Sequence, residues 1–266
     1  MKTVYETIIV AFSMFSALPV PAIGWNEKNM RYMLAAFPLI GVVIGGIEAV
    51  WMIIASKLAL PQILTAAVVT AIPPLVTGGI HLDGYADVCD ALSSYGDAGK
   101  RREILEDPHI GAFAAIRLGI YFVLSFGFAS GLKASGWQML LLGCSFVVSR
   151  CLSGLAVSIL PLSKDTGLAH TFKNSADKKK TALLLEIELL TVSLIMLAEG
   201  YVLEGTRGIA SAALMLLCAA GVFLYLRKTA NDKFGGLSGD LNGWFLEKAE
   251  LWMLAALVLA AYIYMH

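Results

Sequence analysis

Seven long apolar runs constrain this chain more than any other feature. They fall at roughly residues 32–56, 60–80, 112–132, 137–160, 181–198, 209–226 and 251–264. A bilayer core needs about 20 apolar helical residues to be crossed. Inside lipid each backbone amide must find a partner within the protein, which leaves helices or a closed barrel. None of the runs alternates with period two, which argues against a barrel. Composition agrees: 58% of the 266 residues are hydrophobic and 15% are charged, against about 45–50% and about 25% in soluble chains. The expected fold is an all-α, polytopic membrane bundle of about seven transmembrane helices, with residues 1–266 forming one domain.

An eighth apolar run, Ile8 to Val20, ends in Leu18-Pro19-Val20-Pro21. It has no small-residue cleavage site and is short for a crossing. It reads as a half-inserted or re-entrant helix, with a full span as the alternative. The four cysteines, 89, 144, 151 and 218, show no C-x-x-C spacing, and no disulfide is expected.

The polar connections alternate in size. The long ones, 19–31, 81–111, 161–180 and 227–250, hold 14 Lys and Arg residues, and the short ones hold three. Cytoplasmic loops carry the Lys/Arg excess, so all four long connections are placed on the cytoplasmic side. Lys178-Lys179-Lys180 directly precedes a span and reads as a headgroup anchor rather than a nucleic-acid patch. The formal net charge is zero, and no nucleic-acid partner is expected.

Chemistry concentrates where the second run ends, in Gly78-Gly79-Ile80-His81-Leu82-Asp83-Gly84-Tyr85-Ala86-Asp87-Val88-Cys89-Asp90. Asp83, Asp87 and Asp90 have spacing i, i+4, i+7 and share one face of a helix. Three adjacent carboxylates repel one another unless a cation neutralises them. Hard divalent ions such as Mg²⁺ take carboxylate oxygens, usually beside substrate phosphates. A Mg²⁺–phosphate site is one reading; a solvated acidic loop is the other. His81 lies about 200° around such a helix from Asp83, so the two would not share a face.

Two further segments could serve phosphate. Gly235-Gly236-Leu237-Ser238-Gly239-Asp240 could present backbone N–H groups or a further carboxylate; an ordinary turn looks similar. Lys100-Arg101-Arg102 precedes Glu106-Asp107-Pro108-His109 and mixes cations suited to diphosphate with Asp107 and His109. A surface amphipathic helix with charge pairs fits it equally well. Among ionisable residues inside apolar runs, Arg150 sits deep enough to suggest a phosphate or substrate contact. Glu48 has no evident role.

The segment Thr77 to Asp90 resembles the signature of bacterial cobalamin synthases, the adenosylcobinamide-GDP ribazoletransferases. The likeness extends through Leu18-Pro19-Val20-Pro21, Phe37-Pro38-Leu39-Ile40-Gly41, Asp107-Pro108-His109-Ile110-Gly111, Ser149-Arg150, Gly167-Leu168, Gly235 to Asp240, and Glu247. Departures are Gly167-Leu168-Ala169 in place of Gly-Leu-Gly, Glu106 where a basic residue is common, and the bulkier Leu241-Asn242-Gly243-Trp244. The resemblance implies the last condensation of the cobalamin nucleotide loop. The cobinamide phosphoryl group of adenosylcobinamide-GDP passes to α-ribazole or its 5′-phosphate, and GMP leaves. It implies Mg²⁺ and a multi-pass location in the bacterial cytoplasmic membrane, with the site facing the cytoplasm. It leaves open association with other cobalamin-assembly enzymes or with further copies of the chain.

On that reading Asp83, Asp87, Asp90 and Asp240 hold the metal, and one of these carboxylates or His81 takes the hydroxyl proton. Asp90 or Asp240 is favoured as the base. Lys100, Asp107, His109, Arg150, Lys164, Gly235, Gly236, Ser238 and Gly239 are the expected substrate contacts. Rival readings are another Mg²⁺-dependent membrane phospho- or prenyltransferase and a secondary transporter. A prenyltransferase typically has two Asp-rich loops, and here the second offers only Asp240. A transporter places carboxylates at mid-span and shows repeats, and no repeat is evident.

Overall fold

The computed structural model describes residues 2–133, 136–163 and 177–263, and nearly all of these are helical. The helices are α1 (Lys2–Phe15), the short turns α2 (Glu27–Met30) and α3 (Met33–Ala36), α4 (Pro38–Lys57), α5 (Gln62–Thr77), α6 (Ile80–Ser93) and α7 (Ala98–Leu105). They continue as α8 (Ala112–Ser130), α9 (Gly136–Ile159), α10 (Lys178–Glu204), α11 (Thr206–Thr229) and α12 (Gly239–Ile263). A π-helical turn, Ala230–Phe234, closes α11.

The all-α membrane bundle is as expected; of the seven or so spans expected, five to six are recovered by length and composition. Among the described residues, five helical stretches are long and apolar enough to cross a membrane: Met33–Lys57, Ala112–Ser130, Gly136–Ile159, Lys178–Glu204 and Thr206–Phe234. α5 and α6 pass that test only as a pair, and they are bent by 96° to one another. Counted as one broken span they make six. α1 has 14 residues, about 21 Å at 1.5 Å per residue, too short for a crossing.

The last helix differs most from expectation. In sequence the last apolar run covers 251–264, and 227–250 reads as a polar connection. Instead α12 starts at Gly239 and has 25 residues. Glu247, Lys248 and Glu250 interrupt its apolar pattern, yet both glutamates are buried inside the bundle. Leu241, Trp244, Phe245, Met253 and Leu257 are also fully buried along it. Lys248, counted above among loop cations, sits in the helix over the Trp244 ring, 4.9 Å from its centroid. α12 and α9 form the interior: 78% of the α9 span is buried, against 22% in α8 and α10. The outer helices turn Ile120, Val123, Leu190, Leu194 and Leu217 outward, as a lipid-facing surface requires.

The long connections gather at one end. The Ala17 N–H donates to the Val76 carbonyl at 2.8 Å, and Arg102 Nη1 donates to the Phe234 carbonyl at 3.0 Å. Leu162 and Leu237 form a parallel bridge. At the other end Gln62 Nε2 donates to the Leu132 carbonyl at 2.7 Å and ties the short connections together.

Candidate active site

Two glycines set the direction of the acidic helix. Gly78 and Gly79 both adopt the left-handed conformation, with φ of 67° and 78°. L-residues with a side chain avoid that region. The Gly79 N–H donates to the Pro74 carbonyl at 3.0 Å, closing α5. The chain then turns and restarts at Ile80. α6 therefore runs at 96° to α5 and meets the start of α12. It contains Asp83, Asp87 and Asp90, all on the expected helix.

Asp240 joins them from the first turn of α12. Gly84 makes this approach possible, since a Cβ there would lie 2.8 Å from the Asp240 Cα. Burial, then the charges of Asp83, Asp240 and Asp90 in that order, push the Asp87 carboxyl from 3.8 up to about 6. The four carboxylates thus share one electrostatic neighbourhood. As they stand they line up rather than converge: among the described residues no three His, Cys, Asp or Glu side chains close around a point that could hold a metal ion. Asp83 is exposed, the other three are half-buried, and the Asp90 carboxylate packs against Gly111. The donor set is nonetheless what Mg²⁺ requires, all hard carboxylate oxygens. Burial is the main cause of the raised Asp87 carboxyl, and the neighbouring acidic charges that add to it are what such an ion would offset.

A cavity of about 330 Å³ opens beside these carboxylates, bordered by Asp83, Asp240, Gly239, His81 and Asn242 on its polar side. His81 and Asp83 both line it despite their different helix faces, because the cavity wraps over the start of α6. Asp83 also borders a second, more open hollow of about 420 Å³ beside Gly78, Gly79 and Ile110.

The remaining expected contacts divide. Gly235 and Gly236 do not offer free amides: both of their N–H groups donate to the Ala230 carbonyl, and that of Leu237 donates to Pro161 at 2.8 Å. The loop is structural, held by Arg102 from outside. Ser238 Oγ accepts from the Leu241 N–H at 3.2 Å and caps α12. Lys100 is exposed and paired with Glu103 at 2.9 Å. Asp107 is exposed and accepts from the His109 backbone N–H at 3.0 Å and lies 2.7 Å from its ring Nδ1, contacts that hold its carboxyl below the usual range. None of Lys100, Asp107 and His109 lines the cavity. Lys164, like Gly167-Leu168, lies outside the described residues.

Arg150 lies deep in the bundle. It is 1% exposed. Its Nη1 donates to Glu250 Oε1 at 2.8 Å and to the Phe146 carbonyl at 2.9 Å. Glu250 also accepts from Ser149 Oγ at 2.7 Å. Arg150 is thus an intramembrane ion pair behind the cavity, with Phe37 between, its guanidinium 5.6 Å from that ring. Glu247 accepts from the Tyr121 hydroxyl. Glu48 is buried beside Glu250, Tyr121 and Ser125. Sequence reasoning missed Glu250, Tyr121, Ser153 and Asn242. Asking what neutralises a deep arginine would have pointed to Glu250; nothing local marks Ser153.

The family model described as cobalamin-5-phosphate synthase matches residues 7–258. An adenosylcobinamide-GDP ribazoletransferase of Lachnoclostridium phytofermentans is 44% identical over 255 residues, covering 96% of this chain and 94% of that protein. Proteins of the same name from Clostridium perfringens and Clostridium botulinum are 30% and 29% identical, each covering 94% of this chain and 96% of their own length. No solved structure matches. With nearly the whole length matched and the acidic helix, Asp240 and the cavity assembled at one end of the bundle, the chain belongs to the cobalamin-5-phosphate synthase family.

Proposed function

We propose that this chain transfers the cobinamide phosphoryl group of adenosylcobinamide-GDP to the ribose 3′-hydroxyl of α-ribazole or its 5′-phosphate. The products are adenosylcobalamin, or its 5′-phosphate, and GMP. The observation that carries this is the meeting of Asp83 and Asp240 at a cavity, with Asp87 within reach of both charges, in a chain similar over nearly its whole length to ribazoletransferases.

The attacking oxygen forms a bond to the cobinamide-side phosphorus. The bond from that phosphorus to the bridging oxygen breaks, and GMP departs with that oxygen. Such transfers depend on positioning and charge neutralisation more than on covalent help from the protein. Asp83, Asp87, Asp90 and Asp240 would hold Mg²⁺. The ion would offset the charge of the diphosphate and of the departing GMP. Asp240, which borders the cavity, would accept the hydroxyl proton. The first turn of α12 brings the positive end of a long helix to the place where the anionic groups bind.

The site lies at the end carrying the Lys/Arg-rich connections, which supports a cytoplasmic-facing site in the bacterial cytoplasmic membrane. The test is an assay of purified protein in detergent with adenosylcobinamide-GDP, α-ribazole and Mg²⁺. GMP and adenosylcobalamin should appear in equal amounts, and only when both substrates are present. GMP without the corrinoid product, or no turnover, would sink the reading.

A further inference from the structure

The cavity of about 330 Å³ has two unlike halves. One holds Asp83 and Asp240; the other is walled by Leu34, Phe37, Val157 and Leu246. Phe15 and Phe37 stack tilted with centroids 4.5 Å apart, and the His81 ring meets Phe37 edge-on at 5.7 Å. Among the described residues, two buried polar atoms of its lining residues have no hydrogen-bond partner, His81 Nε2 and Asn242 Oδ1. His81 is 6% exposed. Asn242 is fixed in orientation, because its Nδ2 donates to Ser153 Oγ at 2.8 Å. Buried polar atoms are rarely left unpaired unless a ligand or water completes them. Here both residues line a space large enough for a ligand.

Resting on the proposed reaction, we infer that this cavity is the acceptor subsite, taking the α-ribazole nucleoside with its base among the aromatic rings and its ribose at His81 and Asn242. Size excludes the donor's corrin. The volume is at the lower end of the range for small-molecule pockets, about 300–1,000 Å³, and an adenosylcorrinoid is several times larger. Polarity discriminates between the two nucleosides of the reaction. Guanine carries donors and acceptors on several edges, and each would be buried unpaired against Leu34, Phe37, Val157 and Leu246. A benzimidazole presents almost none, and flat apolar rings pack well on Phe15 and Phe37. With the base in the apolar half, the ribose lies at the junction. Its hydroxyls meet His81 Nε2 and Asn242 Oδ1, and the attacking oxygen faces the Asp83–Asp240 side. Asn242 and Ser153 are then positioning residues for the acceptor.

The test is equilibrium binding to the full-length protein in detergent, with α-ribazole and GMP as separate probes and no donor present. Val157→Phe fills the apolar half, and Asn242→Ala removes the polar contact. Each should weaken α-ribazole binding about tenfold or more, the scale of one lost buried contact. GMP binding and the KM for adenosylcobinamide-GDP should stay unchanged. Ser153→Ala, which loosens Asn242 with the least disturbance to packing, should raise the α-ribazole KM in the same direction. If GMP binding or the donor KM shifts while α-ribazole binding holds, the cavity takes the donor nucleotide and the inference is overturned. Unchanged binding of both probes overturns it equally. Failure of the wild-type protein to release GMP would instead defeat the proposed reaction, so the two failures are distinguishable.

Discussion

Gly84 of α6 lies against the backbone of Asp240, and a Cβ on it would also meet the Asp240 carbonyl oxygen at 2.9 Å. This contact brings two helices distant in sequence close enough for their carboxylates to act together. Gly84→Val should force them apart. Overpacking of this kind destabilises by about 1–3 kcal/mol, while GMP release should fall by about 100-fold, as a 1 Å displacement of reacting groups does. Thermal unfolding in detergent and turnover, measured on one preparation, separate the two effects.

Asp87 should make the site less stable in the absence of a cation. Its carboxyl is raised from 3.8 to about 6, chiefly by burial and then by its acidic neighbours. Between those values the folded chain keeps a proton that the unfolded chain has released, so stability falls as pH rises through that window. Asp87→Asn removes this dependence. The variant should match the wild-type melting temperature near pH 4 and exceed it above pH 6, while losing transfer activity. An equal melting temperature at pH 7 without added Mg²⁺ would show that the carboxylates are not in conflict.

Removing the metal should have two linked effects. EDTA should abolish GMP release, and Mg²⁺ should restore it. Mg²⁺ should also raise the melting temperature of the wild-type chain, since a ligand that binds only the folded state stabilises it. Asp83→Asn and Asp240→Asn should each reduce that rise. A rise of the same size in both variants would place the ion elsewhere.

Arg150 and Glu250 should behave as a buried pair. Removing one partner leaves an uncompensated charge, which costs about 3–5 kcal/mol. Arg150→Met should therefore lower the melting temperature sharply. Arg150→Met combined with Glu250→Leu should recover most of it, which a double-mutant cycle would show as strong coupling. Additive losses would contradict the pairing.

The acidic helix was legible because its signal is local: the i, i+4, i+7 spacing and the flanking glycines lie within fourteen residues, 77–90. The lipid-facing helices were legible because apolar runs report their solvent directly. α12 was not. Its charged residues look like a loop in one dimension and become interior only when α8 supplies Tyr121 and α9 supplies Ser149 and Arg150. The Gly235-Gly236 segment left two readings open, a phosphate cradle or an ordinary turn. A glycine-rich segment suggests free amides, but Ala230 and Pro161 take them in the folded chain. Asn242 reads in sequence as part of a bulky departure from a family pattern, whereas the fold makes it a wall of the cavity.

The most direct test of the account follows one oxygen atom. α-Ribazole labelled with ¹⁸O at its 3′-hydroxyl would be supplied with adenosylcobinamide-GDP, and the products read by mass spectrometry. Attack on the cobinamide-side phosphorus predicts that the label is kept in the new phosphodiester of adenosylcobalamin and that GMP is unlabelled. Labelled GMP, or release of GDP in place of GMP, would contradict it.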